Sequence, residues 1–411
     1  MKKTLVCCLL LSALASLWAE KPRRYVEFGV DADVGVANNY LGLFDVFNRE
    51  RTIVIDFLRL AESGLQIGAT AEAEAFLNIN FSEKFGLGFF GGVEVAQYED
   101  VSKELFKLLT ATDAGSQNIE SVMSAGASAF VNAGLRTSFK FGKLSLGFSP
   151  AAYVPLMYIP PPQVSAHVDT GSGVKAEANV DATVYMGLPP DTLFSLLSDN
   201  GFHLSSGDIW NTLEGWGLDT SFDAEYACNP RWDLGASVAH IPLYPARLRY
   251  GAQIRYNYPL DFDVDELLED LLNGRFDLSL PELTDPVFYD NLAFRVFRPL
   301  RFDFYAAWKP FSTKLIVLKP DIGFSALTVH GYEADKMCFN AGLEAQLNLK
   351  RIFSLSLATG YREKIWRHGL GLMLNLRVLQ IDLAVALQSP DFVGSFKIQG
   401  AQAAVGLRFG Y

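Results

Sequence analysis

Between Leu65 and Phe81 the chain alternates with a period of two residues, and this constrains the fold more than any other feature of the sequence. One set of positions is Leu65, Ile67, Ala69, Ala71, Ala73, Ala75, Leu77, Ile79 and Phe81. The set between them is Gln66, Gly68, Thr70, Glu72, Glu74, Phe76, Asn78 and Asn80, in which only Phe76 is neither polar nor small. Successive side chains of a strand point to opposite faces, whereas a helix mixes the two sets. The segment reads as a strand with one apolar and one polar face.

The alternation returns along the chain. Val26, Phe28, Val30, Ala32, Val34 and Val36 oppose Glu27, Gly29, Asp31, Asp33 and Gly35, and Ala127, Ala129, Val131, Ala133 and Leu135 oppose Ser128, Asn132, Gly134 and Arg136. Leu218, Thr220, Phe222, Ala224 and Tyr226 stand against Asp219, Ser221, Asp223 and Glu225. Leu248, Tyr250, Ala252, Ile254 and Tyr256 stand against Arg247, Arg249, Gly251, Gln253 and Arg255. The runs 339–349 and 370–378 repeat the pattern. Short turns at 82–84, 141–143, 229–231 and 350–352 alternate with longer connections. Long strands, polar faces rich in Gly, Ser and Asn, and short turns alternating with long loops describe an all-β fold, a transmembrane antiparallel β-barrel with its apolar face toward lipid. A soluble sandwich is the rival, but its strands usually run to about 5–6 residues. About fourteen strands are expected, or sixteen if 163–187 and 353–388 divide differently; even numbers are the rule.

Half of the residues are hydrophobic and 13% aromatic, yet after Ala19 no run approaches the ~20 apolar residues of a transmembrane helix. The apolar character is therefore distributed residue by residue. A net charge of −11 argues against nucleic acid as a partner, because binding phosphate needs clustered Lys and Arg. Outside the N-terminal run the cysteines are Cys228 and Cys338, either one disulfide or two thiols.

Helical spacing interrupts the strands. Val54, Phe57, Leu58 and Ala61 share a face, so residues 37–64 are expected to form a plug inside or against the barrel. Val101, Leu105, Leu108 and Leu109 predict a second helix, Asp191–Ser198 a third, and the stripe Val264, Leu267, Leu268, Leu271 and Leu272 a fourth. Pro160, Pro161 and Pro162 lack the ladder donor, and either end a strand at the rim or kink the wall.

Both ends carry sorting signals. Lys2 and Lys3, the apolar run Thr4–Trp18 and Ala19 have the anatomy of a cleaved secretory signal peptide over residues 1–19, leaving 20–411 as the barrel. The C-terminal run alternates Val405, Leu407, Phe409 and Tyr411 with small or polar residues. Gly406, Phe409 and Tyr411 resemble the terminal signal by which barrel-assembly machinery recognises its substrates. Outer-membrane lipid and that machinery are the partners these features imply.

Arg247, Arg249 and Arg255 share one face of a single predicted strand and form an expected basic ladder in the lumen. Glu72, Glu74, Asp219, Asp223 and Glu225 are its acidic counterpart. Opposed charges either set a transverse field or pair with each other and with the plug. No enzyme is expected. The five histidines, His167, His203, His240, His330 and His368, are isolated, Gly-x-Ser-x-Gly is absent, and no metal or cofactor motif occurs. Asp261, Asp263 and Asp265 lack the glycine of a calcium loop.

The segment Ala37-Asn38-Asn39-Tyr40-Leu41-Gly42-Leu43, then Ile53-Val54-Ile55-Asp56-Phe57-Leu58, followed by repeated long strands, resembles the long-chain fatty-acid transporter family of outer-membrane barrels. The resemblance is particularly to divergent spirochaete-type relatives carrying an uncharacterised-domain label. The resemblance implies a fourteen-stranded barrel, an N-terminal hatch and passive passage of hydrophobic small molecules. The family's hatch commonly carries Asn-Pro-Ala, which is absent here, so no ligand-binding residue carries over. The alternative functions are a general diffusion porin and a surface adhesin or structural barrel acting through the loops near 189–216 and 259–291.

Overall fold

The computed structural model describes residues 25–42, 57–110, 117–119, 123–160, 162–169, 174–190, 206–262, 287–290, 292–310, 315–326, 337–349, 352–376 and 378–410. Its first strands are β1 (Val26–Asn38), β2 (Leu65–Asn80), β3 (Phe85–Val101), β4 (Gln117–Ile119), β5 (Met123–Phe141), β6 (Leu144–Ile159), β7 (Gln163–Asp169) and β8 (Val174–Met186). There follow β9 (Gly217–Asn229), β10 (Trp232–Tyr244), β11 (Ala246–Leu248), β12 (Tyr250–Phe262), β13 (Val287–Tyr289) and β14 (Phe294–Val296). The last are β15 (Arg301–Trp308), β16 (Ile316–Ala326), β17 (Met337–Leu349), β18 (Phe353–Arg362), β19 (Ile365–Asn375), β20 (Leu379–Ser389) and β21 (Gly400–Gly410). Four helices are described: α1 (Phe57–Ser63), α2 (Lys103–Thr110), α3 (Ser206–Leu213) and α4 (Phe392–Phe396). The expected signal peptide, Val54, the helices at 191–198 and 264–272, and Tyr411 lie outside the described residues.

Fourteen strands close a ring. β1, β2, β3, β5, β6, β9, β10 and β15–β21 each pair antiparallel with the next. β21 returns to β1, with Glu27 opposite Gly410 and Ala37 opposite Gly400. Closure pairs the backbone groups that an open sheet leaves at its edges, which is what hydrocarbon requires of a sheet.

Register carries the sequence alternation around the ring. Leu357, Leu370, Val385, Ala403 and Val34 lie side by side on five strands, and all but Ala403 are large and exposed. Val30, Val93, Val131, Phe222, Phe304 and Ile322 continue the outward belt. Near the short turns aromatic rings meet between neighbouring strands: Phe85 and Phe139 at 5.3 Å, and Trp232 stacked on Trp308 at 6.0 Å. Near the long loops Phe324 meets Phe339 at 5.6 Å and Tyr361 meets Trp366 at 5.0 Å. Apolar flanks bounded by two aromatic girdles define a membrane-spanning barrel.

At the loop end the wall branches. A register shift at Ala129/Phe130 interrupts the β5–β6 ladder. Past Tyr153, β6 leaves β9, and its Met157 and Tyr158 pair instead with Met186 and Tyr185 of β8. β8 then pairs with β12 along thirteen residues and with β7, extending a sheet past the barrel. β6 ends at Ile159, directly before Pro160. The single strand expected through 247–258 is thus corrected: it breaks at Arg249, β11 turning inward and β12 joining the outer sheet.

α1 packs on α2 through Leu60, Ala61 and Phe106, with Tyr40, Leu65 and Val101 around them. Of the plug candidates, Ala61 is buried here, Leu58 is exposed, and Phe57 begins the helix. Asn39 ties this corner to the barrel, donating to Gly64 O at 3.0 Å and accepting from Gln66 N at 2.8 Å. No disulfide joins Cys228 and Cys338.

Candidate functional site in the lumen

An inward-folded strap, running from Tyr244 through β11 and from β14 to Arg301, crosses the loop end of the lumen. Ala246 and Leu248 are fully buried and pair with Val296 and Phe294. They pack on inward side chains of the wall, Phe130 and Tyr153, and on Tyr158. Phe294 stacks on Tyr185 at 3.8 Å and on Tyr158 at 5.6 Å. The Tyr153 hydroxyl donates toward Val296 O at 3.2 Å and Tyr244 O at 3.3 Å, so one wall residue holds both arms. His240, at a bulge of β10 with φ +60°, places its Nδ1 2.8 Å from Pro299 O.

Arg298 anchors the strap below this cluster. Its side chain is 5% exposed; it pairs with Asp219 of β9, 2% exposed, at 3.2 Å, and makes a closer pair with Glu94 of β3. A charge buried this deeply persists only when it is paired and hydrogen-bonded. The two carboxylates grip the Arg298 Nη atoms from two sides of the wall and hold the strap across the lumen.

Beneath lies a chamber of about 480 Å³ bordered by Asp31, Asp33, Glu72, Glu74, Glu94 and Asp382. A second cavity of about 300 Å³ is bordered by Asp321, Glu344, Arg362, Arg367 and Gln402. Arginines from the wall neutralise part of this charge: Arg136 reaches Glu74 at 3.2 Å, Arg301 Glu72 at 3.8 Å, Arg408 Asp31 at 3.5 Å and Arg362 Asp321 at 2.6 Å. Phe76, the break in the β2 alternation, points inward and is buried, its ring against Gly29 and 5.7 Å from the Arg408 guanidinium. A Cβ at residue 29 would occupy the ring's place, so glycine is required there. Phe90 repeats this arrangement against Gly134, with Arg136 5.0 Å away.

The sequence-derived lumen residues separate into two groups. Glu72, Glu74, Asp219, Asp223 and Glu225 lie on barrel strands, facing the lumen side by register. Glu72 and Glu74 line the chamber, and Asp219 is sealed under the strap. Arg247, Arg249 and Arg255 do not form a ladder on one barrel strand. Arg247 lies on β11 opposite Arg295, Arg249 pairs with Glu214 at 2.5 Å, and Arg255 pairs with Asp181 at 3.1 Å on the outer sheet. The physical reason is the break at Arg249, which takes β12 out of the ring. Among the lumen's cations, Arg298, Arg301, Arg362, Arg367 and Arg408 were missed, and Arg136 was read on the polar face of its strand but not as a lumen candidate. The available signal was an aromatic on an otherwise polar face at Phe76, Phe90 and Phe130; Arg298 has none, since it precedes a proline in an irregular stretch. Gly406 and Phe409 lie in the closing strand β21. Among the described residues no group of His, Cys, Asp and Glu is placed to hold a metal ion.

The class defined by this geometry is a fourteen-stranded membrane β-barrel with a strapped lumen. Comparison with solved structures finds distant matches. The toluene transporter TbuX of Ralstonia pickettii matches at TM-score 0.48 and 10% identity, covering 97% of this chain and 92% of that one. The TodX monoaromatic hydrocarbon channel, in a deletion mutant, matches at 0.48 and 11%, covering 97% and 94%. A Pseudomonas aeruginosa FadL homologue matches at 0.44 and 11%, covering 95% and 90%. No protein-family model and no curated relative matches the chain.

Proposed function

We propose that this chain is an outer-membrane transport barrel that passes small hydrophobic molecules by passive diffusion. It is exported by its N-terminal signal and inserted through the barrel-assembly machinery, and its strap closes the lumen at the loop end. The observation that carries this reading is the aromatic cluster at the mouth. Phe130, Tyr153, Tyr158, Tyr185 and Phe294 meet where a solute entering from the loop end must pass. Rings of this kind accept an apolar molecule at little loss when it takes the place of a ring that moves aside. In this reading segment 37–64 acts as a hatch, its residues 43–56 lying outside the described residues.

A second reading, general diffusion of polar solutes, is favoured by the acidic chamber. Uptake into proteoliposomes separates the two. The proposal expects an apolar dye to enter faster than a sugar of equal size, with little ionic conductance at rest. A wide, steady conductance with no preference for the dye would overturn it.

A further inference from the structure

We propose that the outer wall carries a lipid site: a groove that holds an acyl chain of an anionic phospholipid from the surrounding leaflet. The proposal is independent of what crosses the lumen. The groove, about 930 Å³, runs over the outer face of β17–β21 and β1. By register one side is the outward row Leu357, Leu370 and Val385, the other is the row Thr359, His368 and Leu387, and the floor at β21 is the small residues Ala401 and Ala403.

The groove has a built roof. α4 leaves the loop end and lies against β19 and β20. Its Phe396 ring stacks on His368 at 4.3 Å and its Phe392 meets Trp366 at 4.8 Å. Asp391 caps the helix, accepting from Gly394 N at 2.6 Å, and Gly394 and Ser395 are buried. The roof is therefore fixed to the wall, although its own Phe392, Val393 and Phe396 are exposed. Ile398, with φ +56°, completes the lining.

Two observations point to a lipid rather than to an empty surface. The hollow is continuous with the hydrocarbon-facing belt, so acyl chains surround it. His368, another lining residue, is polar and sits on that same outward face. Its Nδ1 lies 2.9 Å from Thr359 Oγ1, while its Nε2 is buried without a hydrogen-bond partner among the described residues. An unmet ring nitrogen in an apolar setting is costly, and a glycerol ester or phosphate oxygen supplies the missing partner once the side chains enclosing Nε2 give way. Lys397, exposed next to Ile398, provides the positive charge that selects an anionic head group.

The test is native mass spectrometry of the purified, detergent-released barrel after exposure to phosphatidylglycerol or phosphatidylcholine. Phosphatidylglycerol adducts are expected to outnumber phosphatidylcholine adducts on the unmodified protein. Ala403→Phe, which fills the floor, is expected to abolish them, and Lys397→Glu to remove the head-group preference. Ala224→Phe adds the same bulk to the outer face of β9, on the far side of the ring, and is expected to keep them. Gel mobility of unheated samples reports folding; if Ala403→Phe does not fold, Phe396→Ala, which removes the roof, takes its place. Adducts unchanged in the groove variants, or lost equally in Ala224→Phe, would overturn the site. An apolar dye that binds the groove while no lipid does would overturn its assignment to lipid.

Discussion

Replacing Arg298 with Met removes a guanidinium that is 5% exposed and leaves Asp219, 2% exposed, and Glu94 facing each other without their cation. Stripping one partner from a buried pair costs about 3–5 kcal/mol. Water in the chamber below screens Glu94 more than Asp219, so about 3 kcal/mol is the working figure for the strap. At ~1.4 kcal/mol per tenfold, that shifts the closed-to-open ratio of the strap by roughly a hundredfold. Arg298 lies outside the strands that close the ring, so the cost falls on the strap and not on the barrel. The assay is single-channel recording in a planar bilayer, where R298M is expected to raise the open fraction by about two orders of magnitude. Urea unfolding of the barrel should move little. Adding Asp219→Asn is expected to restore part of the closure, a coupling that a double-mutant cycle reads directly. An unchanged open fraction in R298M, or a general loss of barrel stability without any opening, would refute the reasoning.

Three further outcomes follow from the same geometry. Tyr153→Phe removes the hydroxyl that holds both strap arms and is expected to cost about 1 kcal/mol, seen as faster amide exchange at Leu248 and Phe294 with the barrel strands unaffected. Leu370→Arg puts a charge on the lipid face and is expected to cost about 2–4 kcal/mol if the site lies near mid-membrane, whereas Ser356→Arg, one strand over on the lumen face, should cost far less; urea titrations in lipid vesicles compare them. Glu72→Gln with Glu74→Gln is expected to lower the cation preference of whatever current R298M passes, read as a shift in reversal potential under a salt gradient.

The barrel was legible because period-two alternation is a local property. The Leu65–Phe81 pattern survives intact as β2, and each neighbouring strand repeats it in register. The break at Arg249 was not legible. Leu248, Tyr250 and Ala252 alternate as well across the break as within it, and what divides them is tertiary. Leu248 finds Phe130 and Tyr153 in the lumen, and Tyr250 finds Met186 on the outer sheet. Arg298 was hidden for a related reason, since its partners Glu94 and Asp219 lie 204 and 79 residues away in the chain. Phe76 was noticed as an irregularity, but its use as a ring between Gly29 and Arg408 depends on β21, which only closure brings beside β1.

The central claim is that lipid contacts every second residue of each barrel strand. Nitroxide labels placed singly at Leu370, Gly371, Leu372 and Met373 of β19, in protein reconstituted into vesicles, test it most directly. Molecular oxygen, which partitions into hydrocarbon, should relax the labels at 370 and 372 most strongly, and a water-soluble nickel chelate those at 371 and 373. Equal access of the chelate to all four positions would mean that this wall does not face a membrane.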